Sequence, residues 1–185
     1  MTTSNVEVPS AVASPTTASV DVSMFEYTPS YCEENVYLLC KKLSMIGVAD
    51  AEGSDLFVVF ISNENRFHCG IRKLAQELME LFSGITMSSA SRLFRVVHAP
   101  LFLRFFASDR RHMKDSVGNW ISQPPTYENL VAEDGIVHNL DEYIRVSAAD
   151  MVSDIRDDSI SALLSQKFGL VVNESQLESF FTHIC

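Results

Sequence analysis

Leu56-Phe57-Val58-Val59-Phe60-Ile61 is an unbroken apolar run, closed by Ser62-Asn63-Glu64 and preceded by a polar stretch from Gly47 to Asp55. It is far too short to cross a bilayer, and its β-branched and aromatic side chains suit a pleated strand. It reads as a buried strand, so the chain has to build a core around it.

The flanking segments carry the material for that core. Upstream, Val36, Leu39, Cys40, Leu43 and Ile46 recur at helical spacing. Downstream, Ile71, Leu74, Ala75, Leu78, Leu81 and Phe82 mark a second amphipathic helix, ended by Gly84. Leu93 to Val97 reads as another strand. Leu101 to Ala107 is an apolar element of either type, leading into the charged Ser108-Asp109-Arg110-Arg111-His112-Met113-Lys114-Asp115. Gly118-Asn119-Trp120 and Gln123-Pro124-Pro125 form a loop. The last third offers a short element from Leu140 to Val146 and two helices, around Ser159 to Phe168 and Ser175 to His183. No internal repeat is present. Residues 1–29 are rich in Ser, Thr, Ala, Val and Pro without a sustained period and read as a flexible tail, which leaves residues 30–185 as a single domain.

Charge and cysteine usage narrow the function classes. A net charge of −10 and a pI near 4.8 argue against a nucleic-acid duplex or an anionic membrane as the main partner, and favour a neutral or cationic substrate. No apolar run approaches a membrane span, and the first residues lack the basic and apolar regions of a secretory signal, so a reducing, intracellular home is expected. Cys32, Cys40, Cys69 and Cys185 are scattered without a CxxC pair, which favours neither zinc nor a disulfide framework. His68 beside Cys69 is a weak metal signal, and no metal or cofactor is expected.

Among these cysteines Cys32 is the one placed for chemistry. With Ser30 as N-cap and Glu33 as its partner, Ser30-Tyr31-Cys32-Glu33 reads as a capping box that puts Cys32 in the first helical turn, among unpaired backbone N–H groups. That end of a helix favours a thiolate. Glu33 and Glu34 oppose it, and a structural thiol fits the same local pattern.

Tyr31-Cys32-Glu33-Glu34-Asn35, Phe60-Ile61-Ser62-Asn63-Glu64, Phe94-Arg95-Val96 and above all Phe106-Ala107-Ser108-Asp109-Arg110-Arg111-His112-Met113-Lys114-Asp115 with Gly118-Asn119-Trp120 resemble the protein N-terminal glutamine amidohydrolase family in order and spacing. The likeness runs from about Tyr27 to the C-terminus. It implies an α/β (α+β) fold with a transglutaminase-like or papain-like cysteine hydrolase core, helices packed on a mainly antiparallel sheet. It also implies a monomeric, cytoplasmic or nuclear hydrolase that converts an N-terminal glutamine of a protein or peptide to glutamate, releases ammonia and serves the degradation pathway that reads protein N-termini. By position Cys32 matches the family nucleophile.

One departure from the family pattern stands out. Family members carry a Trp-Asp-Tyr-His-Val segment with the catalytic His, and a Tyr-Asp-Leu-Asp strand with the catalytic Asp, between the Ser-Asn-Glu strand and the next helix. Here only Asn65, Arg66, Phe67, His68, Cys69 and Gly70 separate Glu64 from Ile71, and the sole tryptophan is Trp120. The pattern is that of an internal deletion. It predicts a sheet truncated beside Leu56 to Ile61, with Phe57, Val59 and Ile61 or the opposite face exposed, and a Cys32 sulfur with no imidazole in hydrogen-bond reach. His68 lies near the junction. His112 lies inside a family motif, where Asp109 can pair with Arg110 or with His112, and its structural reading is a turn held by charged groups. His98, His138 and His183 have surface or packing readings only. Two functions remain: the amidohydrolase itself, or an impaired relative that binds protein N-termini, with Trp120, Pro124, Pro125 and Tyr127 as a surface for it.

Overall fold

The computed structural model describes residues 22–63, 66–73 and 92–184. Four strands, β1 (Leu56–Asn63), β2 (Arg66–Lys73), β3 (Leu93–His98) and β4 (Leu170–Asn173), form one sheet in the order β2-β1-β3-β4. Every pairing in it is antiparallel. Among the described residues five α-helices accompany the sheet: α1 (Cys32–Met45), α2 (Ala99–Phe105), α3 (Leu140–Ile144), α4 (Asp157–Ser165) and α5 (Glu174–Ile184). The protein is thus a mixed α/β fold with helices on an antiparallel sheet. Among the described residues no helix is long and apolar enough to cross a membrane.

The unbroken apolar run of β1 follows from cover on both faces. Successive side chains on a strand point to opposite sides. Leu56, Val58 and Phe60 join Val36 and Cys40 of α1, Phe102 of α2, and Leu140 and Tyr143 of α3 in one core. Phe57 and Val59 turn the other way, onto Leu163 of α4 and Leu177, Phe180 and Phe181 of α5. Aromatic rings dominate both halves, with Phe102 stacked on Phe106 and Phe57 edge-on to Phe180 and Phe181.

Beside β1 the expected gap is closed. Arg66–Lys73 pairs along the whole of β1, from Leu56 opposite Lys73 to Asn63 opposite Arg66, while β3 pairs with the other edge. Phe57 and Val59 are 1% and 3% exposed, so the expectation of a bared apolar strand is overturned. A short hairpin suffices because β1 needs one partner on this side to satisfy its backbone groups, whatever sequence supplies it. The same finding corrects the second amphipathic helix, since Ile71 lies in β2; the remainder of that predicted helix lies outside the described residues. The element expected over Leu101 to Ala107 resolves as α2, which starts two residues earlier at Ala99, with Pro100 near its start, and ends at Phe105.

Arg95 of β3 ties the layers together across the sheet end. Its guanidinium donates to the carbonyls of Phe168 at 2.8 Å and Arg145 at 2.7 Å. The C-termini of α3 and α4 are thereby held against β3.

Candidate active site

Helix α1 begins at Cys32, as expected, but without a capping box. Tyr31 is the N-cap and makes no side-chain cap hydrogen bond; Ser30 is left-handed, with φ of 71°. The approach is fixed instead by Asn35. Its side-chain carbonyl accepts from the Thr28 amide at 2.9 Å, and its amide donates to the Thr28 carbonyl at 2.8 Å. Released from capping, Glu33 turns its carboxylate toward the Cys32 sulfur. Glu33 is 5% exposed while Cys32 is exposed, so the thiol meets solvent with a buried acid directly behind it.

The Cys32 thiol donates to Glu33 Oε2 at 3.5 Å. Cys69, placed on β2 opposite Phe60, is a second partner of the Cys32 sulfur. Its thiol holds the Cys32 pKa below the ordinary thiol value, against opposition from burial and from the Glu33 charge. The reciprocal effect, with burial, pushes the Cys69 thiol up. Within this pair the Cys32 pKa is shifted down and the Cys69 pKa up. Cys40, fully buried in the core, is pushed up to about 12 by desolvation. Among the described residues no imidazole hydrogen-bonds the Cys32 sulfur. The side chain of His68 lies outside the described residues.

Behind Glu33 runs a file of acid–imidazole pairs. His112 Nε2 lies 3.1 Å from Glu33 Oε1, although the contact is not aligned as a hydrogen bond. The His112 ring stacks on His138 with centroids 5.9 Å apart, and Tyr31 meets His112 edge-on at 6.4 Å. His138 Nδ1 lies 3.1 Å from Asp109 Oδ1, and Arg111 donates through Nε to both Asp109 oxygens, at 2.9 and 2.8 Å. Asp109 accordingly pairs with Arg111 and His138, not with Arg110 or His112. Arg111 holds the Asp109 carboxyl below the usual carboxylate range. Burial pushes His138 down in spite of Asp109, with Arg111 and His112 adding their repulsion.

Arg110 serves a different partner. It is left-handed, with φ of 63°, and its guanidinium clamps Glu34 while reaching the carbonyls of Tyr127 at 3.0 Å and Glu128 at 3.2 Å. The loop that follows Pro125 is thus fastened to the first turn of α1. Tyr127 packs its ring against the Arg110 guanidinium, and Trp120, 40% exposed, lies under Lys114. Glu33, expected as a capping partner, and His138, expected as a surface or packing residue, both belong to this cluster. Glu33 had a signal in its adjacency to Cys32. His138 had none, because it comes from a loop far along the chain. His98 lies apart, with Nε2 3.0 Å from the Ser54 carbonyl. Among the described residues no group of three or more His, Cys, Asp or Glu side chains is disposed to hold a metal.

Comparison with known proteins places this arrangement in context. The chain matches the model of the N-terminal glutamine amidase family over residues 27–80 and 66–181. It is 42% identical to a protein N-terminal glutamine amidohydrolase of Arabidopsis thaliana over 211 aligned positions, covering 90% of this chain and 96% of that protein. A relative of the same name from Oryza sativa subsp. indica is 39% identical, with 89% of this chain and 90% of that protein covered. One from Danio rerio is 28% identical, with 64% and 78% covered.

Proposed function

The chain belongs to the N-terminal glutamine amidase family, and from that membership we propose that it hydrolyses the side-chain amide of an N-terminal glutamine on a protein or peptide. Glutamate remains and ammonia leaves. The observation that carries this reading is the 42% identity to the Arabidopsis amidohydrolase across nearly the whole of both chains. Residues 30–185 form the catalytic domain, residues 1–29 a tail, and the new N-terminal glutamate feeds the cytoplasmic or nuclear degradation pathway that reads protein N-termini.

Cys32 is the nucleophile in this scheme. Its thiolate attacks the carboxamide carbon, the tetrahedral intermediate expels the amide nitrogen with a proton as ammonia, and water hydrolyses the thioester to free the carboxylate and the thiol. Exposure of Cys32, its place at the first residue of α1 and its depressed pKa support the assignment. Proton transfer is the weak step, because the family segments that carry His and Asp are missing from this chain. Two findings support that absence. The 211-position alignment is longer than the 185-residue chain, so the relative contributes positions that this chain lacks. The family model matches in two stretches that both claim residues 66–80, as expected where one short segment stands in for a longer one.

The test is mass spectrometry of a Gln-initiated peptide incubated with the 185-residue protein and with a version carrying the missing segment between Glu64 and Ile71. Both should add about one dalton without cleaving the peptide, the restored version at least about a hundredfold faster. Peptide-bond cleavage, or no mass change even in the restored version, would refute the assignment.

A further inference from the structure

We infer that Glu33 recognises the free α-ammonium group of the substrate, so that the site reads a chain terminus as well as a glutamine side chain. This rests on the amidase reading above.

Glu33 is the acid beside the Cys32 sulfur, and among the described residues no cationic arginine or lysine clamps it; its one basic neighbour there is His112, with Nε2 3.1 Å from Oε1. Its side chain is 6% exposed; one carboxylate oxygen receives the Cys32 thiol, and the other, Oε1, is buried without an aligned donor. A buried carboxylate oxygen left in that state is costly, and a donor brought by a ligand removes the cost. The neighbouring acids are each held by an arginine, Glu34 by Arg110 and Asp109 by Arg111, whereas the basic contact of Glu33 is only the unaligned one with His112.

Distance favours the same role. In an N-terminal glutamine the α-nitrogen lies roughly 4–5 Å from the carboxamide carbon. With that carbon about 3–3.5 Å from the attacking sulfur, an α-ammonium falls within reach of a carboxylate that itself touches the sulfur. An internal glutamine presents an uncharged amide there, and leaves the buried charge unanswered.

Charge then links recognition to reactivity. The Glu33 carboxylate opposes ionisation of Cys32. A cation seated on Glu33 cancels that opposition, so the thiolate forms more readily once a true N-terminus is in place.

The experiment measures fluorescence anisotropy of C-terminally labelled Gln-initiated peptides in three forms: free α-amine, Nα-acetylated and des-amino. The native chain should bind the free amine about tenfold or more tighter than the other two. Glu33→Gln should erase the preference by weakening the free-amine peptide alone. Equal binding of all three forms by the native chain, or a preference that survives in Glu33→Gln, overturns the inference. Where Glu33→Gln fails to fold, Glu33→Asp, which keeps the charge but draws it back by one methylene, should reduce the free-amine preference, and an unchanged preference there overturns the inference. An Ala-initiated free-amine peptide separates the two readings. A Glu33-dependent preference for the amine without preference for Gln over Ala upholds Glu33 and removes the amidase reading; preference for Gln regardless of acetylation does the reverse.

Discussion

Arg110 and Glu34 form an ion pair sealed inside the molecule: Nε donates to Oε1 and Oε2 at 3.1 and 3.2 Å, Nη2 to Oε2 at 3.0 Å, and the two side chains are 5% and 0% exposed. The geometry uses the planar fork of arginine, and the remaining donors reach the 125–128 loop. Removing one partner strands the other charge in the interior, at a cost of about 3–5 kcal/mol. Arg110→Ala is therefore expected to lower the thermal midpoint by roughly 10 °C, and Arg110→Lys to recover only part of it, because one ammonium cannot serve Glu34 and the loop carbonyls together. Differential scanning calorimetry of the three proteins checks this, and a midpoint for Arg110→Ala within about 2 °C of the native value would contradict it.

The cysteines differ enough to be separated chemically. Cys32 is exposed with a lowered pKa, Cys40 is buried and pushed up to about 12, and Cys69 is pushed up by Cys32 and by burial. Because the thiolate is the reactive form, brief iodoacetamide treatment at neutral pH should label Cys32 first by peptide mapping. Replacing Cys69 with Ala removes the largest influence that lowers the Cys32 pKa. Half-maximal labelling of Cys32 should move to higher pH in that variant. In ammonia release, Cys32→Ala should be silent while Cys40→Ala and Cys69→Ala keep much of the native rate. Preferential labelling of Cys69 would reverse the assignment.

The parts of this molecule that were legible in sequence are those fixed by local pattern. Leu56 to Ile61 and Leu93 to Val97 are strands, Cys32 opens a helix, and both C-terminal helices fall where their periodicity puts them. The strand Leu170–Asn173 escaped because four residues between two helices carry too short a period, and β2 escaped because its identity comes from pairing with β1. Within the site the same division holds. Cys32 announces itself by position at a helix start, whereas the pairing of Glu33 with His112 and of Asp109 with His138 depends on loops that fold back onto the site from far along the chain. The Ser108 to Asp115 block was recognisable as a motif, yet which of its charges met which partner was a tertiary property.

Gly169 shows how tightly β4 is set against β3. It adopts φ of +62°, and a Cβ placed there would lie 1.8 Å from the Val96 carbonyl oxygen and 2.9 Å from the Val97 Cα. Both atoms belong to the central sheet and cannot step aside. Gly169→Ala combines left-handed strain with a backbone collision, and is expected to cost about 4 kcal/mol or more. Gly118→Ala, at φ of +90° but with open space around its Cβ, should lose far less. Chemical denaturation of the two variants gives the comparison, and similar midpoints would mean that β4 can detach from β3 without loss.

Acid should weaken the fold in two stages. The folded-state pKa of His138 lies below its ordinary value because burial disfavours the imidazolium, so the unfolded chain binds that proton more readily. For a base shifted downward, stability is complete above the unfolded pKa of about 6.5 and falls as pH drops below it. Asp109 is also shifted downward, chiefly by Arg111, and for a carboxyl the loss begins only near its unfolded pKa of about 4. The expected profile is thus a first decline of the denaturation midpoint starting near pH 6.5 and a second below about pH 4. Replacing His138 with Gln should abolish the first decline while leaving the second, since Arg111 still holds Asp109. Urea titrations at half-unit pH steps resolve the two, and a His138→Gln protein that keeps the upper decline would assign it to another group.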